Sequence, residues 1–210
     1  MAVKEKEHTD FEIIDRILQG ERNAYELLIR KYNQRLYRVA KGILWEEEII
    51  EDAMQDAYIK AYQQLAGFQK KSTFSTWITR ILINECLMIK RHSTTGVNTE
   101  DSSVHSDRLV DFSNPERKTI NNELKVLLEG AIQQLPDKYR TVFILRELEN
   151  MSVMETSRSL EITETNVKAR LSRAKEMLRD NLTSNMPVGD LLEFNLIRCD
   201  RIVKNVLMRI

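Results

Sequence analysis

Apolar residues recur every third or fourth position along most of the chain, and the stretch from 93 to 114 breaks that rhythm. From Asp10, a plausible N-cap, Phe11, Ile14, Ile17 and Leu18 fall on one helical face, and Gly20 stops the helix. Ala24, Leu27, Leu28, Leu36, Tyr37, Ala40 and Leu44 mark a longer helix. Ile49, Ile50, Ala53, Met54, Ala57, Tyr58, Ala61 and Leu65 mark a third, ended by Gly67. After the polar link Lys70-Lys71-Ser72, a fourth helix over 73–91 presents Phe74, Trp77, Ile78, Ile81 and Leu82 to a core. These four helices predict a first domain over residues 10–92.

The run STTGVNTEDSSVHSDRLVDFSN, rich in Ser, Thr, Asp and Asn and net acidic, reads as a flexible acidic linker over 93–117. A second helical domain is predicted over 118–183. Ile120, Leu124, Leu127, Leu128, Ala131 and Leu135 line its first helix, and Pro136 breaks that helix and opens the next, lined by Val142, Phe143, Leu145 and Leu148. Ser152 and Glu155 then have capping-box spacing ahead of a helix of about two turns, which stops at Glu161-Ile162. Thr163 can cap a further helix to about Asn181, with Val167, Leu171, Ala174 and Leu178 in register. Two helices meeting across a tight turn predict a helix-turn-helix. The fold class is therefore all-α: two small helical domains joined by a linker, the second containing a helix-turn-helix.

A last segment, 184–210, has capping spacing at Asp190 and Glu193. Leu192, Leu196, Cys199, Val203, Val206 and Ile210 alternate by four and three, as along a heptad seam. Such a helix needs something to pack on. Intramolecular packing on the second domain is the expectation, with docking to a regulatory partner or a second copy as the alternative.

Composition narrows the function. No apolar run approaches bilayer-spanning length, and the charged start MAVKEKEHTD has no secretory core behind it, so a cytoplasmic chain that does not insert in a membrane is expected. Cys86 and Cys199 are too few for a disulfide framework and read as ordinary buried thiols. His8, His92 and His105 fall in the tail, at the end of the first domain and in the linker; there is no metal-ligand cluster, no phosphate-binding glycine loop and no ordered nucleophile with a base. No enzyme activity, catalytic residue, metal or cofactor is expected. Net charge is zero, which argues against a free-standing binder held on DNA by bulk electrostatics. The charge is unevenly placed, however. Glu46, Glu47, Glu48, Glu51, Asp52 and Asp56 have no basic residue among them, whereas 70–91 is basic apart from Glu85. One face suits a basic partner and another an acidic one.

In the helix-turn-helix, Glu164, Thr165, Asn166 and Lys168 face outward at the N-terminus of the second helix, from where side chains reach base edges in the major groove. Thr163 opens that helix. Arg170, Arg173 and Lys175 follow one or two turns on, suited to phosphates or to bases further along the site. On the pattern alone, ordinary packing fits as well as DNA binding.

The runs LPDKYRTVFILRELENMS and NVKARLSRAKEMLRDNL, within 135–182, resemble region 4 of sigma-70 family factors, which reads an upstream promoter element at minus-35. Glu51-Asp52-Ala53-Met54-Gln55-Asp56-Ala57-Tyr58 is similar to the family's region 2.2, whose acidic and amide side chains dock on the clamp of the large polymerase subunit. Helical spacing places Asp52, Gln55 and Asp56 on one face, opposite Ala53 and Ala57. Residues 72–84, STFSTWITRILIN, resemble regions 2.3 and 2.4, which melt the duplex and hold the minus-10 element. Bases leaving a stack need aromatic faces or polar pockets, with cations nearby for phosphates. Phe68, Lys70, Lys71, Ser72 and Thr73 lie where a flipped base would be received, and Arg80, Asn84, Lys90 and Arg91 along the helix that would follow the DNA. Phe74 and Trp77 stand at core spacing with Ile78 and Ile81, so their rings are expected at least partly buried, with edges left for DNA.

The resemblance covers nearly all of 10–183 and implies a two-domain sigma factor of the extracytoplasmic-function type. Its implied partners are core RNA polymerase, through clamp and flap, promoter DNA, and an anti-sigma factor that holds the domains closed. It also implies that the linker, with Glu100, Asp101, Asp107 and Asp111, threads a basic polymerase channel; a simple tether is the alternative. In another class stands an independent helix-turn-helix regulator, which would bind duplex DNA unaided.

Overall fold

The computed structural model describes residues 9–95, 128–181 and 196–209, and these are helical with short connections. The linker acids Glu100, Asp101, Asp107 and Asp111, the start of the first helix of the second domain, and Asp190, Leu192, Glu193 and Ile210 lie outside the described residues.

Helix α1, Asp10–Leu18, is capped one residue earlier than expected: Thr9 Oγ1 accepts from the Glu12 amide at 3.3 Å, and Glu12 Oε2 accepts from the Thr9 amide at 2.8 Å. Asp10 is freed for tertiary contacts, accepting from Lys31 Nζ at 2.6 Å and from the Tyr32 hydroxyl. The buried face of α1 is Ile13, Ile14 and Ile17, whereas Phe11 and Leu18 stay 39% and 51% exposed. Phe11 instead stacks at the edge on Phe68, with ring centroids 6.5 Å apart.

A 3₁₀ turn, Arg22–Ala24, leads into α2, Tyr25–Lys41, followed by α3, Glu47–Gln63, and α4, Phe74–Thr95. Two tyrosines join α2 to α3. The buried Tyr25 hydroxyl donates to the Tyr58 carbonyl at 2.7 Å, and the Tyr58 hydroxyl donates to the Ile29 carbonyl at 3.1 Å. Each places a phenol oxygen on a carbonyl partner and so offsets the cost of burying it. Helix α4 packs across α3 and α2, burying Phe74, Ile78, Leu82 and Cys86. Burial pushes the Cys86 thiol up to about 12, so it stays protonated and unreactive at neutral pH.

In the second domain, 128–133 form the described end of α5, and Pro136 precedes α6, Asp137–Phe143, as its N-cap. The helix then widens into a π-turn, Ile144–Leu148, where the Glu149 amide donates to the Ile144 carbonyl at 3.0 Å. The helix-turn-helix follows as α7, Val153–Leu160, and α8, Glu164–Asn181. The Ser152–Glu155 capping box forms as expected, at 3.1 and 2.8 Å, and Glu161 turns the corner in the left-handed region at φ 55°. Thr163 Oγ1 accepts from the Asn166 amide at 3.2 Å, capping α8.

The final helix, α9, Leu196–Arg209, corrects an expectation. It packs on α2 and α3 of the first domain instead of on the second, burying Ile202 and Val206. An amphipathic seam specifies that a helix needs a partner; it does not specify which groove.

Candidate nucleic-acid interface

The aromatic group ahead of α4 begins with Phe68, half-buried, whose ring lies 4.8 Å from Trp77 and meets Phe74 edge-on at 6.1 Å. Phe74 is fully buried and Trp77 partly so, as their spacing predicted. Phe68 is more committed to this cluster than a free loop residue would be. Lys70 holds the left-handed region at φ 54°, reaches Asp15 at 3.2 Å and lies 5.2 Å over the Phe11 ring. Lys71, Ser72 and Thr73 follow. Thr73 Oγ1 accepts from the Thr76 amide at 3.2 Å, so it caps α4 as well as standing at the loop, and Ser72 Oγ donates to the Thr73 carbonyl at 3.3 Å.

Along α4, Asn84 and Arg91 are exposed. Arg80 pairs with Glu161 at the corner of the helix-turn-helix, and Lys90 pairs with Asp137 at the start of α6. Two cations expected to follow DNA are thus held by acids of the other domain.

The second domain lies directly against this surface. Helix α7 packs on α4, the Ser159 hydroxyl donates to the Thr76 carbonyl at 3.4 Å, and Arg158 Nη1 reaches the Lys71 carbonyl at 3.4 Å. Two buried polar knots tie the domains. Glu149 accepts from Arg35 Nε at 2.9 Å and from Arg38 Nη1 at 3.1 Å, and its carbonyl accepts from Arg35 Nη2 at 3.0 Å. Arg140, 1% exposed, donates to the Gly42 carbonyl at 2.8 Å and to the Leu135 carbonyl at 3.2 Å, and stacks 4.5 Å from the Trp45 ring. Gly42 suits this close approach: a Cβ there would stand 2.6 Å from Ile144 Cδ1. These fastening residues went unnoticed in the sequence, where Arg140 and Glu149 look like ordinary charged positions of a helix.

The first turn of α8 stays open. Glu164, Thr165, Asn166 and Lys168 are exposed on the first turn of α8, with Val167 fully buried behind them. Arg170 is half-buried; Arg173 pairs with Glu176 at 2.7 Å and Lys175 with Glu147 at 2.9 Å.

On α3 the expected acidic face divides. Asp52 and Asp56 are exposed, whereas Glu51 and Gln55 are 5% and 4% exposed. Gln55 therefore does not share an open face with the two aspartates. Positions 51 and 55 are one helical turn apart, and α3 is enclosed on more than one side, by α2, α4 and α9.

A model described as Sigma-70 region 2 matches residues 28–95, and one described as Sigma-70, region 4 matches residues 125–178. The RNA polymerase sigma-H factor of Pseudomonas aeruginosa is 30% identical over 176 residues, spanning 80% of this chain and 91% of that protein. The chain belongs to the sigma-70 family. The ECF RNA polymerase sigma factor SigW of Bacillus subtilis is likewise 30% identical, over 80% of this chain and 94% of the relative. Among solved structures, the sigma factor RpoE in complex with the anti-sigma factor NepR from Bartonella quintana superposes with a TM-score of 0.55 at 22% identity. That alignment covers 81% of this chain and 99% of that one, and it supports the all-helical fold.

As a sigma factor of the extracytoplasmic-function group, the protein binds core RNA polymerase and promoter DNA and directs transcription initiation. The family consists of initiation factors that bind DNA. Among the described residues, no helix is long and apolar enough to cross a membrane.

Proposed function

We propose that the first domain docks polymerase through the acidic side of α3 and receives the melted minus-10 strand at the loop before α4, while α8 reads the minus-35 element. The observation that carries this reading is the exposed first turn of α8, held outward by the Thr163 cap and the buried Val167. Glu164, Thr165, Asn166 and Lys168 can enter a major groove from there. Arg170, Arg173 and Lys175 supply cations further along, and the surface pairs that Arg173 and Lys175 make with acids are weak enough for phosphates to displace. The protein performs binding and strand separation with no bond chemistry of its own, and works in the cytoplasm beside polymerase.

On α3, Asp52 and Asp56 offer carboxylates to a basic partner. In the loop, Lys70, Lys71 and Ser72 lie in sequence between Phe68 and Trp77, whose part-buried rings pack on each other and leave their edges for a base. Arg80, Asn84, Lys90 and Arg91 extend the basic track along α4. Helix α7 packs on α4, and acids of the second domain, Glu161 and Asp137, meet Arg80 and Lys90, so parting the domains frees the whole track. The closed arrangement is thus a resting state, and an anti-sigma factor that prefers it would hold the protein inactive by population shift. The Bartonella relative, solved with its anti-sigma factor, supports such a partner.

The test is promoter-complex formation by the reconstituted holoenzyme. Asn166→Ala with Lys168→Ala should lower affinity for a cognate promoter at least tenfold while leaving core polymerase binding unchanged. Equal loss of polymerase binding would remove α8 from promoter recognition.

A further inference from the structure

We infer that α9 is a built-in competitor for the polymerase-docking side of α3, a cis-acting segment that holds Glu51 and Asp56 and must be displaced before polymerase gains that side. The inference rests on the reading of α3 as the docking face.

Helix α9 lies across α2 and α3, with Ile202 and Val206, one turn apart, completely buried. Beside that apolar seam its cations meet the acidic face. Arg201 Nη2 donates to Glu51 Oε1, and Arg209 Nη1 stands 3.9 Å from Asp56 Oδ1. Two of the four acidic or amide residues assigned to docking, Glu51 and Asp56, are therefore engaged by α9.

Charge points the same way. The first two turns of α3 and the residue before them carry Glu46, Glu47, Glu48, Glu51 and Asp52 with no cation, so they select a basic partner. Helix α9 carries Arg198, Arg201, Lys204 and Arg209 against Asp200 alone. It brings to α3 an apolar seam flanked by cations, the chemistry that an external partner of this face must also bring. Being covalently joined to α8 through residues 182–195, it meets the groove at high effective concentration. The apparent polymerase affinity is then the intrinsic affinity reduced by the fraction of molecules in which α9 is undocked.

The test uses the full-length chain and labelled core polymerase in an anisotropy titration. Ile202→Asp with Val206→Asp makes docking of α9 unfavourable and should tighten polymerase binding about tenfold or more. Arg201→Ala keeps the apolar seam, removes the pair with Glu51, and should tighten binding several-fold. It is the gentler variant should the aspartates disturb folding. Asp52→Ala with Asp56→Ala, introduced into the released background, checks the docking face itself and should weaken binding about tenfold. Unchanged or weaker binding by both α9 variants, with the aspartate substitutions still weakening it, overturns the competitor role and leaves the docking face standing. Aspartate substitutions without effect in the released chain overturn the docking face, and the competitor role with it.

Discussion

Replacing Glu149 with alanine should open the two domains without unfolding either. Glu149 ends the π-turned helix of the second domain, its side chain is 6% exposed, and both carboxylate oxygens are taken by arginines of α2, at 2.9 and 3.1 Å. Removing one member of a buried ion pair costs about 3–5 kcal/mol because the other charge is left without compensation. Here the arginines keep some access to water, with side-chain exposures of 27% for Arg35 and 13% for Arg38, and Arg35 Nη2 keeps the Glu149 carbonyl. The cost therefore falls to about 2–3 kcal/mol, a shift of roughly 30- to 150-fold toward the open arrangement. Dyes placed on α2 and α8 would report it as a rise in mean separation, and the calorimetric unfolding of each domain should keep its own midpoint. Glu147→Ala serves as a control, since its partner Lys175 lies in the same domain and both are substantially exposed. It should cost under about 1 kcal/mol and leave the separation unchanged. An unaltered separation for Glu149→Ala, with a lower midpoint for the second domain alone, would show that Glu149 serves that domain's own fold, and the fastening argument would fail.

Arg140→Ala should be more damaging, costing about 3–5 kcal/mol in denaturant unfolding, because it leaves a cavity and strips a buried donor from the carbonyls of Gly42 and Leu135. A loss below about 1 kcal/mol would mean that the guanidinium does not sit there. Acid sensitivity can be assigned as well. The Ser152 amide, with help from its hydroxyl, holds the Glu155 carboxyl below the ordinary carboxylate range. A depressed folded-state pKa gives stability that is complete above the ordinary range and is lost as pH falls through the depressed value. Glu155→Gln should therefore cost about 0.5–1 kcal/mol at neutral pH and nothing at the acid end, narrowing the difference between the two in acid unfolding curves. A constant difference across pH would exclude the capping carboxylate as its source.

Much of the helix-turn-helix was legible in the sequence because its determinants are local. Ser152, Glu155 and Thr163 act on amides three residues away, and the burial of Val167, Ala174 and Leu178 follows from helical spacing. The contacts that close the protein are not local. Arg140 reaches Gly42 and Glu149 reaches Arg35 across about half the chain, and no periodicity records such a pairing. The face of α3 was misread in part for a related reason. Spacing grouped Asp52, Gln55 and Asp56 as one open side, but Gln55 is buried where neighbouring helices enclose α3, and α9, whose destination its own seam does not encode, takes Glu51. The buried face of α1 also differs by one position: both Ile13 and Phe11 fit amphipathic registers, and Ile13 enters the core while Phe11 packs on Phe68 at the edge.

The most direct measurement of the central claim is salt-resistant binding to a cognate promoter by the protein alone, by the protein with core polymerase, and by core polymerase with the Asp52→Ala, Asp56→Ala variant. A sigma factor that docks through α3 predicts specific binding only with polymerase present, weakened about tenfold by the two substitutions. Equally tight specific binding by the protein alone, indifferent to polymerase and to the aspartates, would contradict the account.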